Sequence, residues 1–456
     1  MMAKIVELKK ACTVNPLKMS QPLGASYAYM GMDKCMPMMH GSQGCTAFGL
    51  VLMVRHFREA IPLQTTAMNE ASTILGGMEN VEKAVLNIKT RANPDLIGIC
   101  STGLTETKGE DVMGDLKVIR QKHPELGDTQ IVFCSTPDYV GAFQDGWAKA
   151  VLSMIQVLVQ PVNSTLDYQI NVLAGSHLTA GDIETLREII ADFGLQAIVM
   201  PDISGSLDGH VPEEFSPTTL GGTSLRQVRD MASSRLTLAI GEQMRGCAME
   251  LEMRSGVRFE LLDTVLGLEG CDRLMALLSD ISGRPVPVKY RRQRSQLIDA
   301  MLDGHFFFGG KKIAIGAEPD LLWSVSHWLH NMGCDIAVAV TTTHSPMLGD
   351  LPCKEVLLGD LEDLETQAAA AGCDVLITHS HGRQAAERLG IPLVRMGIPM
   401  FDRLGSAHQV SVGYRGTRDW IFELGNVFLA ADHAHGPDSW PLPESSRVSD
   451  IVAVPG

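Results

Sequence analysis

The chain contains no C-x-x-C pair, no G-x-G-x-x-G fingerprint, no G-x-x-x-x-G-K-[ST] loop and no apolar run near the roughly 20 residues that cross a bilayer. Each absence removes a class. The 10 cysteines, at 12, 35, 45, 100, 134, 247, 271, 334, 353 and 373, have no zinc-ribbon spacing. Dehydrogenase and P-loop ATPase readings lose their phosphate-binding element. No G-x-S-x-G elbow or Ser-His-Asp order supports hydrolysis. Positive charge is also scarce. A net charge of -15 repels phosphate over most of the surface, so no nucleic-acid partner is expected. The start, MMAKIVELKK, lacks the apolar centre of a signal peptide, and a cytoplasmic protein without membrane attachment is expected.

What is present is an ordinary globular balance: 45% hydrophobic and 20% charged residues, with 44 Gly and 22 Pro to supply turns. At 456 residues the chain is long enough for about three domains. Short apolar runs recur, each followed by a Gly, Ser, Thr or Asp-rich turn and then by helical periodicity, which is the α/β signature. Strands are expected at Leu96 to Cys100, Gln130 to Cys134, Gln169 to Leu173, Gln196 to Met200, Lys312 to Gly316, Asp335 to Val340, Glu355 to Leu358 and Asp374 to Thr378. Helices are expected at Thr46 to Phe57, Asp111 to Lys122, Ala180 to Phe193, Pro319 to Met332 and Thr417 to Asp432, the last followed by a proline-rich tail. Pro319 can start its helix and Gly333 can end it. The fold class is therefore α/β, with three Rossmann-like domains and mainly parallel sheets, spanning 1–160, 161–304 and 305–456.

Ligands of such folds bind beyond the carboxyl ends of strands. The polar turns Ser101-Thr102-Gly103, Pro201-Asp202-Ile203-Ser204 and His379-Ser380-His381-Gly382 fall there, although strand-to-helix loops need Gly and capping residues whatever they bind. His379 and His381 read as pleat neighbours on a strand extension rather than as ligands. Gly221-Gly222-Thr223-Ser224 lacks the lysine of a phosphate loop and reads at most as a flexible binding loop. Cys100, Cys134, Cys334 and Cys373 lie in or beside apolar runs, where free Cys behaves as a small hydrophobe.

Cys45 differs. It ends the loop His40-Gly41-Ser42-Gln43-Gly44-Cys45 at a helix start, where free N–H groups and the helix dipole favour a thiolate. No nearby cysteine completes a local metal site. An iron-sulfur cluster needs four ligands as a rule, so the others would come from another chain. The cluster Arg55-His56-Phe57-Arg58-Glu59 closes the same helix and reads as a stability feature or a protein contact.

A set of ordered motifs then carries a resemblance. Asn15-Pro16, Ser20 through Ala25, Met36-Pro37, His40 through Cys45 and Arg55 through Glu59 closely resemble the nitrogenase β-subunit family. The resemblance returns at Ser101 to Asp111, Ser216 to Thr223, Asp299 to Asp320, Arg395 to Pro399 and Phe401-Asp402-Arg403, and so covers essentially the whole chain. It implies a nitrogenase component 1-like fold. Catalytic members supply three cysteines to an eight-iron P-cluster. The matching positions here are Ser20, Cys45 and Gly103, so one thiol remains and a P-cluster is not expected.

Within the family the chain is most similar to the scaffold branch that matures the iron-molybdenum cofactor. That implies a [4Fe-4S] cluster at the interface with a NifE partner, with Cys45 as this chain's metal ligand and no catalytic side chain. It also implies an α2β2 heterotetramer and a cofactor precursor bound mainly in the partner. The iron protein, a precursor donor and apo-nitrogenase would be transient partners. The alternatives are a catalytic subunit of nitrogenase or of the light-independent protochlorophyllide reductase, and a cluster-free structural or ligand-binding subunit.

Overall fold

The computed structural model describes residues 2–7, 10 and 13–434; Cys12 and the proline-rich tail from 435 lie outside the described residues. Three wholly parallel sheets form the frame. The first has the order Gln64–Thr65, Cys35–His40, Leu96–Ser101, Gln130–Cys134. The second runs Gln196–Met200, Leu166–Leu173, Ser234–Ile240, Phe259–Leu262. The third has six strands: Lys4–Glu7, Glu355–Leu358, Asp335–Thr341, Lys312–Ala317, Val375–Thr378 and Leu393–Arg395. Parallel strands carry helices on both faces, so they read as continuous apolar runs; all six residues of Leu96–Ser101 are buried.

Expected elements are observed with shifts of a few residues at their ends. The helix after Cys45 starts earlier, at Gln43, and the last described helix is longer, Gly413–Ala434. Pro319 opens its helix as expected, and Gly333 just beyond it takes a positive φ of 91°.

Helix Gln21–Met30 buries all ten of its residues and packs along Phe143–Leu158. Two glycines permit the approach. A Cβ on Gly24 would lie 1.9 Å from the Phe143 carbonyl oxygen, and a Cβ on Gly146 would lie 1.9 Å from that of Gln21. The helix backbones therefore touch where any side chain would separate them.

The first strand belongs to the last sheet: Lys4 is in register with Glu355 and Glu7 with Leu358. A polar clasp secures the segment that follows. Lys10 Nζ lies 3.1 Å from Asp360 Oδ1 and 2.5 Å from Asp363 Oδ1, and the Val14 N–H donates to Asp360 Oδ2 at 2.9 Å. No described helix is long and apolar enough to cross a membrane.

Candidate metal centre

Neighbouring parallel strands send their following loops to the same edge of a sheet, and three such loops converge here. The loop after Cys35–His40 leads into the helix of Cys45, the loop after Leu96–Ser101 carries Thr102 and Gly103, and the loop after Gln130–Cys134 carries Asp138. Hydrogen bonds cross-link them. Thr102 Oγ1 donates to the His40 carbonyl at 3.1 Å, the Thr136 N–H donates to Ser101 Oγ at 2.7 Å, and Ser135 Oγ donates to Glu106 at 2.7 Å. His40 is itself fixed, its two ring nitrogens 2.9 Å from Thr66 Oγ1 and Glu110 Oε2.

The loops wall a cleft of about 440 Å³ lined by Ser20, Cys45, Thr102, Asp138 and His381, among others. The structure thus brings Ser20 and Cys45 together, with the Thr102-Gly103 turn beside them. Ser20 is the N-cap of Gln21–Met30, yet its hydroxyl makes no capping bond. Gly103 offers no side chain. The space its Cβ would fill is taken by Asp138, whose Oδ1 lies 2.1 Å from that position.

Cys45 is the third residue of helix Gln43–Phe57, within the first turn, whose N–H groups lack intrahelical partners. Its Sγ lies 3.5 Å from Ser42 Oγ. Among the described cysteines it alone is exposed. Cys100 has no exposure, sits 3.4 Å from Ser26 Oγ, and burial pushes its thiol up to about 12. Cys134, Cys334 and Cys373 are buried likewise.

The helix of Cys45 also presents apolar side chains to solvent. Phe48 is 68% exposed and Val51 53%, and both line the cleft with the thiol. Among the described residues no three His, Cys, Asp or Glu side chains are grouped to hold a metal ion. One exposed thiol lines the cleft, and an iron-sulfur cluster, which takes four ligands as a rule, would need its other ligands from elsewhere.

The other sequence candidates are accounted for structurally. His379 is buried, its Nε2 donates to the Leu17 carbonyl at 3.1 Å, and its Nδ1 accepts the His381 N–H at 3.3 Å, so neither nitrogen is free for a metal. Burial lowers its pKa to about 4. The two histidines do not lie on a strand extension: the strand ends at Thr378, a 3-10 turn follows, and their rings stand at 89°. His381 is half-buried and faces the cleft.

The Arg55 to Glu59 cluster makes an intramolecular contact. The Arg55 guanidinium stacks 4.2 Å over the Phe401 ring, and His56 Nδ1 accepts the Met400 N–H at 2.8 Å. Asp202 is satisfied by Arg187 and by the Ser204 N–H at 3.1 Å. Gly221-Gly222-Thr223-Ser224 is a packed clasp rather than a flexible loop: Thr223 bridges Met32, and a Cβ on Gly221 would lie 1.9 Å from the Gly205 carbonyl oxygen. Asp138 escapes sequence analysis because nothing local marks it. Only the vacancy at Gly103, read together with the fold, reveals its position.

The chain belongs to the Nitrogenase component 1 type Oxidoreductase family, whose model matches residues 20–429. It is 56% identical over 445 residues to the nitrogenase iron-molybdenum cofactor biosynthesis protein NifN of Bradyrhizobium diazoefficiens, covering 96% of this chain and 95% of that one. It is 50% identical over 433 residues to the NifN protein of Nostoc sp., covering 95% and 97%. A solved chain of nitrogenase Cp1 superposes with a TM-score of 0.89 at 30% identity, covering 99% of this chain and 98% of that one. A second Cp1 chain, 14% identical with a TM-score of 0.69, shares the fold.

Proposed function

We propose that this chain is a subunit of a scaffold complex that matures the nitrogenase iron-molybdenum cofactor. Its Cys45 is one ligand of a [4Fe-4S] cluster shared with a NifE partner. The observation that carries the reading is the position of Cys45: a lone exposed thiol in a helix first turn, lining an open cleft beside exposed Phe48 and Val51. The high identity to NifN proteins over nearly their full length supports the same reading.

The cluster, when bound, supplies one-electron redox chemistry. The chain's own residues do the rest. The unpaired N–H groups of the first helical turn favour the anionic thiolate of Cys45. Phe48 and Val51 supply apolar surface that a partner can cover, removing water from the site. A cluster held only by the assembled pair also draws the equilibrium towards assembly. No side chain is assigned a general acid or base role.

The complex is read as an α2β2 heterotetramer in the cytoplasm, with the precursor seated mainly in the partner. The iron protein, a precursor donor and apo-nitrogenase visit it. Ser20 and Gly103 stand where catalytic relatives carry cysteine, which disfavours a P-cluster-bearing reductase.

The test is iron content with EPR on the anaerobically co-purified complex. Cys45→Ala should lose about four irons per pair together with the [4Fe-4S] signal, whereas Cys100→Ala should keep both. Equal iron loss in the two variants would defeat the assignment. Iron-free, colourless wild-type complex would favour the cluster-free alternative, and substrate reduction by the purified complex would favour the reductase.

A further inference from the structure

We propose that Asp138 tunes the cluster at Cys45: its carboxylate, seated over Gly103 in the same cleft, adds a negative charge that lowers the cluster's reduction potential. The inference rests on the reading of Cys45 as a cluster ligand and assigns a role to a residue that contributes no bond to iron. Asp138 is exposed, and its carboxylate reaches over the backbone of Gly103. Only a residue without a side chain at position 103 leaves room for the carboxylate, since an ideal Cβ there lies 2.1 Å from Asp138 Oδ1.

The turn that carries Asp138 is held in place. The Gln21 side-chain amide donates to the Pro137 carbonyl at 3.0 Å and to that of Val140 at 2.5 Å, and Thr136 Oγ1 donates to the Ser101 carbonyl at 2.8 Å. Gln21 follows Ser20 directly, so the same helix start borders the cleft and anchors the turn.

Among the described residues no hydrogen-bond donor and no cation pairs with the Asp138 carboxylate. The other ionisable groups on the cleft wall are Lys18, Arg55, Cys45 and His381. Arg55 is committed to the face of Phe401, and burial together with the charge of Arg55 disfavours protonation of His381. The negative charge is thus not cancelled by contact. Iron-sulfur potentials respond to nearby charge and to solvent exposure, and a charge beside the cluster acts more strongly once a partner has displaced water from the cleft.

The experiment is a potentiometric EPR titration, with dithionite as reductant, of the complex co-purified with its partner. Asp138→Asn keeps the shape and removes the charge; the expected result is unchanged iron content and a more positive midpoint potential. Gly103→Ala should shift the midpoint in the same direction by displacing the carboxylate, and Gly103→Ala with Asp138→Asn should shift it no further than Asp138→Asn alone. An unchanged midpoint in Asp138→Asn overturns the proposal, as does loss of iron in that variant, which would make Asp138 a ligand or a structural support. If Cys45→Ala retains all iron, the functional reading itself fails; if it loses iron while Asp138→Asn leaves the midpoint unmoved, only the role of Asp138 falls.

Discussion

Glu318 and Gln144 join the third sheet's unit to the first: Glu318 Oε2 accepts the backbone N–H of Gln144 at 3.2 Å, and Gln144 Oε1 accepts the N–H of Asp320 at 3.3 Å. Asp320 Oδ2 in turn accepts the backbone and side-chain N–H groups of Gln243, at 3.0 and 2.9 Å, from the second sheet's side. Asp320 is buried and Glu318 half-buried. Desolvation raises Glu318 to about 7 and Asp320 to about 6.

A pH dependence follows from the sign of those shifts. Between about pH 4 and pH 7 the folded protein binds more protons at these sites than the unfolded chain does, so stability falls as pH rises through that window. Glu318→Gln should remove part of the slope and gain on the order of 2–3 kcal/mol at pH 8 relative to pH 5. Urea unfolding midpoints across that pH range check it; an unchanged slope refutes the assignment.

Thiol chemistry offers a second check. In the native chain iodoacetamide should label Cys45 while leaving Cys35, Cys100, Cys134, Cys247 and Cys271 unmodified, since all five are buried. Mass spectrometry after a short exposure reads the pattern. Cys45→Ala should itself change stability by no more than about 0.5 kcal/mol, because the side chain is exposed.

The exposed helix face makes a third prediction. Phe48→Asp and Val51→Asp should weaken association with the partner at least about tenfold, or about 1.4 kcal/mol, while leaving the melting temperature of the isolated chain nearly unchanged. Titration of the purified partner by calorimetry or light scattering measures the first effect. A fall in melting temperature as large as that of a core mutation would show that the face is covered within this chain.

Packing at the paired helices supplies a fourth. Gly24→Ala and Gly146→Ala each drive a Cβ into a backbone carbonyl that cannot rotate away, and should cost about 3 kcal/mol or more. Gly103→Ala meets only the end of the Asp138 side chain and should cost less than about 1 kcal/mol. Denaturant midpoints for the three variants establish the order.

Much of the frame was legible because a parallel strand covered on both faces writes itself as an apolar run. Gln130–Cys134, Gln196–Met200 and Glu355–Leu358 are found at the expected residues. Helix Gln21–Met30 escaped notice for the opposite reason: burial on every side erases the amphipathic period, and its Pro22 and Gly24 resemble turn residues. Lys4–Glu7 carries charges at both ends, and only pairing with a strand some 350 positions away makes it one. In the site, Cys45 was legible from its loop and helix start, and Ser20 and Gly103 from the family pattern. Asp138 and the inward side of His381 depend on long-range convergence that no local spacing records.

The pairing of Lys4–Glu7 with Glu355–Leu358 also bears on synthesis. At roughly 5–20 residues per second, the first strand leaves the ribosome roughly 20 to 70 s before its neighbour exists. During that interval its backbone donors and acceptors have no native partner, and they are a ready template for another chain. Lys4 and Glu7, flanking Ile5 and Val6, keep so short a segment in water while it waits. The third sheet is therefore the last to be completed, and Lys4–Glu7 is among the final pieces to find its place.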